Sequence, residues 1–189
     1  PAQAVGIECM RESSVGHHPP PNRLHVWWAR RPLTISRAAV LGSLLPADFD
    51  HDTFERLLGF GAPSDEIVRL RAIMDTGVHL GGYGFDRAFK GHIPPVDFDR
   101  AHQAMERLWR NSPTVLDPMA GGGAIPLEAA LLGLETVANE LNPVACSLEE
   151  VTVDYRFRFG SSLLAPTRRW GKAWWKRFVE RLSPFFPDE

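Results

Sequence analysis

The sequence predicts an α/β fold in which a parallel sheet is flanked by helices. The run 114–116 is typical of a short buried strand, and residues 135–139 are predicted to form a second strand. A glycine-rich turn at 117–124 and an apolar helical pattern at 125–132 lie between them. A strand, a crossover helix and a second strand are the unit from which doubly wound parallel sheets are built. The 189 residues, 44% of them hydrophobic, suffice for one such domain with appendages.

Residues 1–46 are predicted to be an amino-terminal arm followed by one helix. Three consecutive prolines, Pro19 to Pro21, favour extended backbone, so we expect residues 1–22 to be irregular and without a helix. The segment Trp-Trp-Ala-Arg-Arg-Pro at 27–32 then leads to a proline placed at a helix start. A helix is expected from Pro32 to Leu45, and Pro46 ends it.

Residues 47–96 are polar and rich in glycine and proline, which predicts a partly mobile insertion on the surface. We expect one short helix in it, from Ser64 to Met74. Asp97 is the expected N-cap of the next helix, which carries an apolar stripe and ends before Pro113.

Residues 97–189 are predicted to form the α/β segment, followed by helices at Val144 to Glu150 and at Thr167 to Leu182. Apolar side chains recur at i, i+4 and i+8 in the last helix, which favours a stripe that faces a core. The same helix is basic, and its candidate nucleic-acid contacts are Arg168, Arg169, Lys172 and Lys176.

The turn after the first strand has the composition of a ligand-binding loop. Gly121, Gly122 and Gly123 remove every Cβ from the surface that a ligand would approach, and they permit positive φ. Asp117 precedes the glycines at the end of the strand, and Glu140 follows the second strand 23 residues later. An acidic residue about 20 positions after a glycine turn is typical of ribose binding in a β-α-β unit.

The position of Asp117 favours one class of nucleotide cofactor over another. Dinucleotide enzymes usually carry G-x-G-x-x-G, which leaves a helix amino terminus free for a pyrophosphate. Here the turn is D-P-M-A-G-G-G, and its acid would repel a pyrophosphate. The same acid would attract the amino group of S-adenosylmethionine (SAM), so the electrostatics favour SAM over NAD.

Three stretches together resemble the large adenine-specific DNA methylases that carry a zinc ribbon. They are Leu24 to Leu33, Thr114 to Glu128, and Leu164 to Pro187; the segment 140–145 is similar to the strand end that follows motif I of amino-methyltransferases. The resemblance implies part of a Rossmann-like SAM-dependent methyltransferase fold, acting on the adenine N6 of DNA. It also implies that Arg31-Pro32 walls the SAM pocket, with Arg30 or Arg31 facing the SAM carboxylate. The predicted cofactor-binding residues are Asp117, Pro118, Met119, Ala120, Gly121, Gly122, Gly123, Glu140, Leu141, Asn142, Arg31 and Pro32.

One expected element is missing from the chain. Amino-methylases use a [DNS]-P-P-[YFW] loop that binds the target amino group and stacks on the extruded base. No such tetrapeptide occurs, so no catalytic residue is predicted, and the loop is expected from a carboxyl-terminal region or a second chain. Two alternatives stay open: an RNA amino-methyltransferase, and an inactive subunit of a restriction-modification or phage-defence complex that binds SAM or DNA.

Composition excludes several other classes. The net charge of -2 gives no global basic field, so nucleic-acid contacts must come from a local patch. Two cysteines without metal-ligand spacing are typical of a reduced, cytoplasmic protein, and His17, His18 and His25 lack partners at ligand spacing, so no metal is expected. No run of 18 apolar residues is present, and we predict no membrane span.

Overall fold

The computed structural model describes residues 1–14, 16 and 18–186, and most of this part of the chain is helical. Its helices are α1 (Ala2–Glu12), α2 (Pro20–Leu24), α3 (Leu33–Leu44), α4 (His51–Leu57), α5 (Ser64–Asp75), α6 (Pro95–Trp109), α7 (Ala124–Leu131), α8 (Pro143–Glu149), α9 (Arg156–Phe159) and α10 (Leu164–Leu182). A π-helical segment, Glu150–Tyr155, joins α8 to α9. His17 and Pro187, named above, lie outside the described residues.

Two strands form the sheet in the described residues. β1 (Thr114–Asp117) and β2 (Glu135–Ala138) pair in parallel, with Thr114 opposite Glu135 and Asp117 opposite Ala138. Helix α7 crosses between them, as predicted. The parallel pair and its flanking helices agree with part of a Rossmann-like fold, and the rest of that fold stays a prediction.

The expectation that residues 114–116 form a buried strand was wrong, because Thr114 and Leu116 are exposed and Val115 is only half-buried. Leu116 is 65% exposed, and its cross-strand neighbour Val137 is also exposed. Val115, which points to the opposite face, packs against the main core. One face of this two-stranded sheet is covered by helices and the other is open, so alternate residues differ in burial.

The prediction that residues 1–22 are irregular was also wrong, because α1 and α2 lie there. Pro20 and Pro21 occupy the first turn of α2, where a missing N–H costs nothing. Helix α1 buries Val5 and Ile7 and is fixed by two buried carboxylates. The Glu12 carboxylate accepts hydrogen bonds from the backbone N–H of Leu33 (2.7 Å) and of Thr34 (3.1 Å), and so caps α3.

Four helices that precede β1 share one core with α7. Apolar side chains from α1, α3, α4, α6 and α7 meet there, among them Val40, Leu41, Met105 and Ala129. Leu57 and Leu58 are fully buried in the same cluster, so the segment 47–96 is not confined to the surface. The divisions after residues 46 and 96 stay predictions.

Two further helical details differ from the expectations. Asp97 does not cap α6: it lies inside the first turn, and its carboxylate accepts hydrogen bonds from Arg56 Nε (2.7 Å) and Nη2 (3.1 Å). Pro94 is the N-cap residue instead. The predicted α5 and α10 are present, and α10 begins three residues earlier than expected. None of the described helices is long and apolar enough to cross a membrane.

Candidate functional site

The glycine turn lies between the carboxyl ends of β1 and β2. Gly121 (φ 56°) and Gly123 (φ 73°) adopt left-handed backbone, which a side chain would strain. Ala120 N–H donates to Asn139 O (3.1 Å), and Asn139 N–H donates to Asp117 O (2.9 Å). These bonds fix the turn against the end of the neighbouring strand, where ligands of parallel α/β sheets usually bind.

Glu140 holds the turn through its carboxylate. It accepts hydrogen bonds from the backbone N–H groups of Gly121 (2.8 Å), Leu141 (2.8 Å) and Asn142 (3.1 Å). These bonds hold the pKa of Glu140 below its usual range, the bond from Asn142 contributing most. A carboxylate offers about four lone-pair sites, so one stays available. The spacing of Glu140 in the sequence does not predict this structural role.

The 27–32 segment covers the turn from the other side. Arg30 Nη1 donates to Gly122 O (2.8 Å). A Cβ on Gly122 would lie 3.1 Å from Arg30 Cζ and from Trp27 Cδ1, so a side chain there would push these two groups back by a few tenths of an ångström. Of the two predicted residues of this segment, Arg31 is exposed and Pro32 is the N-cap of α3. Arg30, not Arg31, is the arginine that contacts the turn.

Arg30 keeps two donors free of protein partners. Its Nε and Nη2 are buried and donate to no partner among the described residues. Burial lowers the pKa of this guanidinium. The Nε and Nη2 edge presents two parallel N–H groups, the geometry that binds a carboxylate through both of its oxygens.

A third carboxyl group, Glu149 at the end of α8, borders the turn. A Cβ on Gly123 would lie 3.1 Å from Glu149 Cγ. Burial raises the pKa of Glu149 to about 7, and the charges of Glu140 and Asp117 act in the same direction. Its Oε1 is buried and has no partner within the described residues. The sequence carries no signal for this placement, because it depends on how α8 packs on the turn.

A cavity of about 740 Å³ lies beside β2 and next to these carboxyl groups. Its walls include Ala138, Glu140, Cys146, Glu149 and Phe157. The volume is within the range of sites for small organic ligands. Among the described residues no group of three His, Cys, Asp or Glu side chains is arranged to hold a metal ion.

The packing of the basic helix α10 differs from the prediction. Trp170 is 64% exposed and Trp174 is 62% exposed, so the aromatic stripe does not face a core. Trp174 and Trp175 stack on Phe178, and Arg169 Cζ lies 5.4 Å above the Trp170 ring. The four predicted nucleic-acid contacts, Arg168, Arg169, Lys172 and Lys176, are all exposed on this helix.

Comparisons with known proteins match two separate parts of the chain. Residues 1–60 match a family described as a protein of unknown function (DUF1156). Residues 103–167 match a family described as an RMKL-like methyltransferase domain (UPF0020). Neither a curated protein nor a solved structure matches the chain. The second match includes the glycine turn, Glu140 and Glu149, so the site described above lies in the part of the chain that is similar to a methyltransferase domain.

Proposed function

We propose that this chain provides the SAM-binding part of a methyltransferase that acts on the exocyclic amino group of adenine in DNA. The observation that carries the proposal is the bare glycine turn between two parallel strand ends, inside the segment that matches a methyltransferase domain. Backbone without side chains at this edge suits a cofactor held close to the peptide. SAM, when bound, supplies an electrophilic methyl group.

The polar groups around the turn fit SAM. Arg30 offers two buried N–H donors that have no partner in the described part of the chain, and they match the carboxylate of the amino-acid end. Asp117 lies at the end of β1 and suits the ammonium group. Glu140 has acceptor capacity left for a ribose hydroxyl after its three backbone bonds. The proposed ligand set thus combines Arg30 with Asp117 and Glu140, which the sequence predicted.

The exposure of α10 supports a nucleic-acid substrate. Exposed tryptophans can stack on unpaired bases, and the neighbouring arginines and lysines can bind phosphates. Substituting Glu at Arg168, Arg169, Lys172 and Lys176 should weaken DNA binding and reduce its salt dependence, measured by fluorescence anisotropy. Unchanged affinity would remove α10 from the proposed interface.

The target-binding loop is a second part of the proposal. The [DNS]-P-P-[YFW] tetrapeptide does not occur in these 189 residues. We therefore expect further residues, on the same protein or on a partner chain, to bind the target base. The 189-residue chain should bind SAM and transfer no methyl group by itself, and incorporation of labelled methyl into DNA by this chain alone would contradict the proposal.

Titration calorimetry tests which cofactor the site binds. SAM or its demethylated product should bind more tightly than NAD or ATP, because Asp117, Glu140 and Glu149 repel phosphates. Equal or tighter binding of NAD would contradict the electrostatic argument. Arg30→Gln should weaken the binding of SAM. Arg31→Gln, at the exposed neighbouring position, is the matched control and should leave the affinity for SAM unchanged.

Two other functions are separated by simple measurements. An RNA amino-methyltransferase is the rival substrate class, since the RMKL-like match does not distinguish nucleic acids. Competition between single-stranded DNA and RNA of the same sequence decides between them. The second rival is an inactive subunit that binds SAM or DNA, and methyl transfer after addition of the missing loop region would exclude it.

A further inference from the structure

Glu149 is the one carboxyl group at the turn that has no assigned task. It lies on Gly123, and it is close enough to Asp117 and to Glu140 for both charges to act on it. Its buried Oε1 accepts no hydrogen bond from the described residues. A buried acceptor without a partner is costly, so its presence beside a ligand site calls for a partner from the ligand.

The chemical order of SAM indicates which group this is. In SAM the sulfonium stands between the amino-acid end and the ribose. If Asp117 binds the ammonium and Glu140 the ribose, the sulfonium falls between these two carboxylates. Glu149 is the carboxyl group on which the charges of both residues act.

We propose that Glu149 faces the sulfonium of SAM and loses its proton when SAM binds, so that the site separates the charged cofactor from its uncharged thioether product. This inference rests on the proposed function. The proton passes to the solvent, and no covalent bond to the cofactor is formed. Arg30 and Glu149 would then act on opposite charges of the same ligand across Gly122 and Gly123.

The charges around Glu149 support this behaviour. Besides Glu140, the charged residues of the cavity are Glu135, Glu150, Asp154 and Arg158. Arg158 pairs with Asp154 at 3.3 Å, and Asp117 adds a further negative charge from β1. A carboxyl group with a pKa of about 7 in this field is protonated in about half of the molecules at pH 7. A cation placed among the carboxyl groups would favour the ionised form.

The coupling between SAM binding and the ionisation of Glu149 has a defined sign and size. If binding requires ionised Glu149, SAM should release about half a proton per site at pH 7. Its affinity should then rise about fivefold from pH 6 to pH 7, because the protonated fraction of free Glu149 falls over that interval. The thioether product lacks the sulfonium, so its affinity should change much less.

Calorimetry of the whole chain tests the inference without a methylation assay. Titrations with SAM at pH 7 in phosphate and in imidazole, whose ionisation enthalpies differ, give the number of protons released. Glu149→Gln should abolish the release and reduce the preference for SAM over the product, whereas Glu106→Gln, at an exposed position on α6 outside the cavity, should change neither. The pH dependence of the wild-type affinities is the second measurement and needs no variant.

The outcomes separate the two proposals. If the wild-type chain does not bind SAM, the proposed function fails, and this inference fails with it. If SAM binds but Glu149→Gln releases the same number of protons, or if SAM and the product show equal pH dependence, the role of Glu149 alone is refuted.

Discussion

A buried ion pair joins the two matched parts of the chain, and its removal is a direct test of the fold. Arg37 on α3 donates from Nε to Glu128 Oε2 on α7 at 2.5 Å, and from Nη1 to Leu58 O at 3.2 Å. The side chains are 7% and 0% exposed. Burial raises the pKa of Glu128, while the Arg37 guanidinium acts in the opposite direction.

Arg37→Met should destabilise the protein strongly, because Glu128 would keep a buried charge without a counter-ion. Breaking one partner of such a pair typically costs about 3–5 kcal/mol of the free energy of unfolding. For a chain of this size each kcal/mol lowers the melting temperature by roughly 2–4 °C, so a fall of about 6–20 °C is expected. Urea denaturation and thermal melts followed by circular dichroism measure both quantities.

The control variants distinguish a lost charge partner from lost packing. Arg37→Met combined with Glu128→Met removes both charges at similar volume, and should recover most of the loss. Arg69→Met breaks the exposed pair with Glu66 and should cost less than about 1 kcal/mol. If Arg37→Met cost no more than Arg69→Met, the buried pair would not hold α3 on α7, and the reasoning would be refuted.

Three further predictions follow from burial and close contacts. Leu127→Ala should cost about 2–5 kcal/mol of stability in urea, because Leu127 is fully buried, whereas Leu116→Ala should cost about 0.5 kcal/mol or less. Gly122→Ala should weaken SAM binding in calorimetry, because the added methyl group would press on Arg30 and Trp27. Gly171→Ala is the control: it lies in α10 with open space around it, so it should raise stability by up to about 1 kcal/mol and leave SAM affinity unchanged. Because the pKa of Glu149 is raised from 4.5 to about 7, the folded chain binds this proton more tightly than the unfolded chain, and stability falls as pH rises between these values. Glu149→Gln should therefore raise the melting temperature at pH 8 and hardly at pH 4.5, and an equal rise at both would contradict this account.

Local patterns predicted the elements whose signals are local. Helices α3, α5, α6 and α7 and both strands were expected from apolar periodicity, proline positions and the glycine turn, and the structure has them within a few residues. The turn and the acid after β2 also lie together as their spacing indicated. These features depend on residues that are neighbours in the chain.

The failures concern contacts between distant residues. Helix α1 was missed because its stabilising contacts are remote: the Glu8 carboxylate accepts the Ala88 N–H at 2.9 Å, and Glu12 caps α3. Arg30 could not be separated from Arg31 in the sequence, since only the path of the backbone decides which one contacts Gly122. The packing of the α10 aromatics was inferred from spacing, which gives a common face without specifying what covers it.

The sheet has a consequence for handling the protein. Within the described residues each strand pairs along one edge only, and Leu116 and Val137 lie side by side on the open face. Backbone groups at such an edge can pair with a strand of another molecule, and exposed apolar side chains increase the tendency. In concentrated solution, intermolecular β-pairing should therefore begin at this part of the surface. Glu135 lies beside it, and repulsion between the Glu135 charges of two copies should oppose that association.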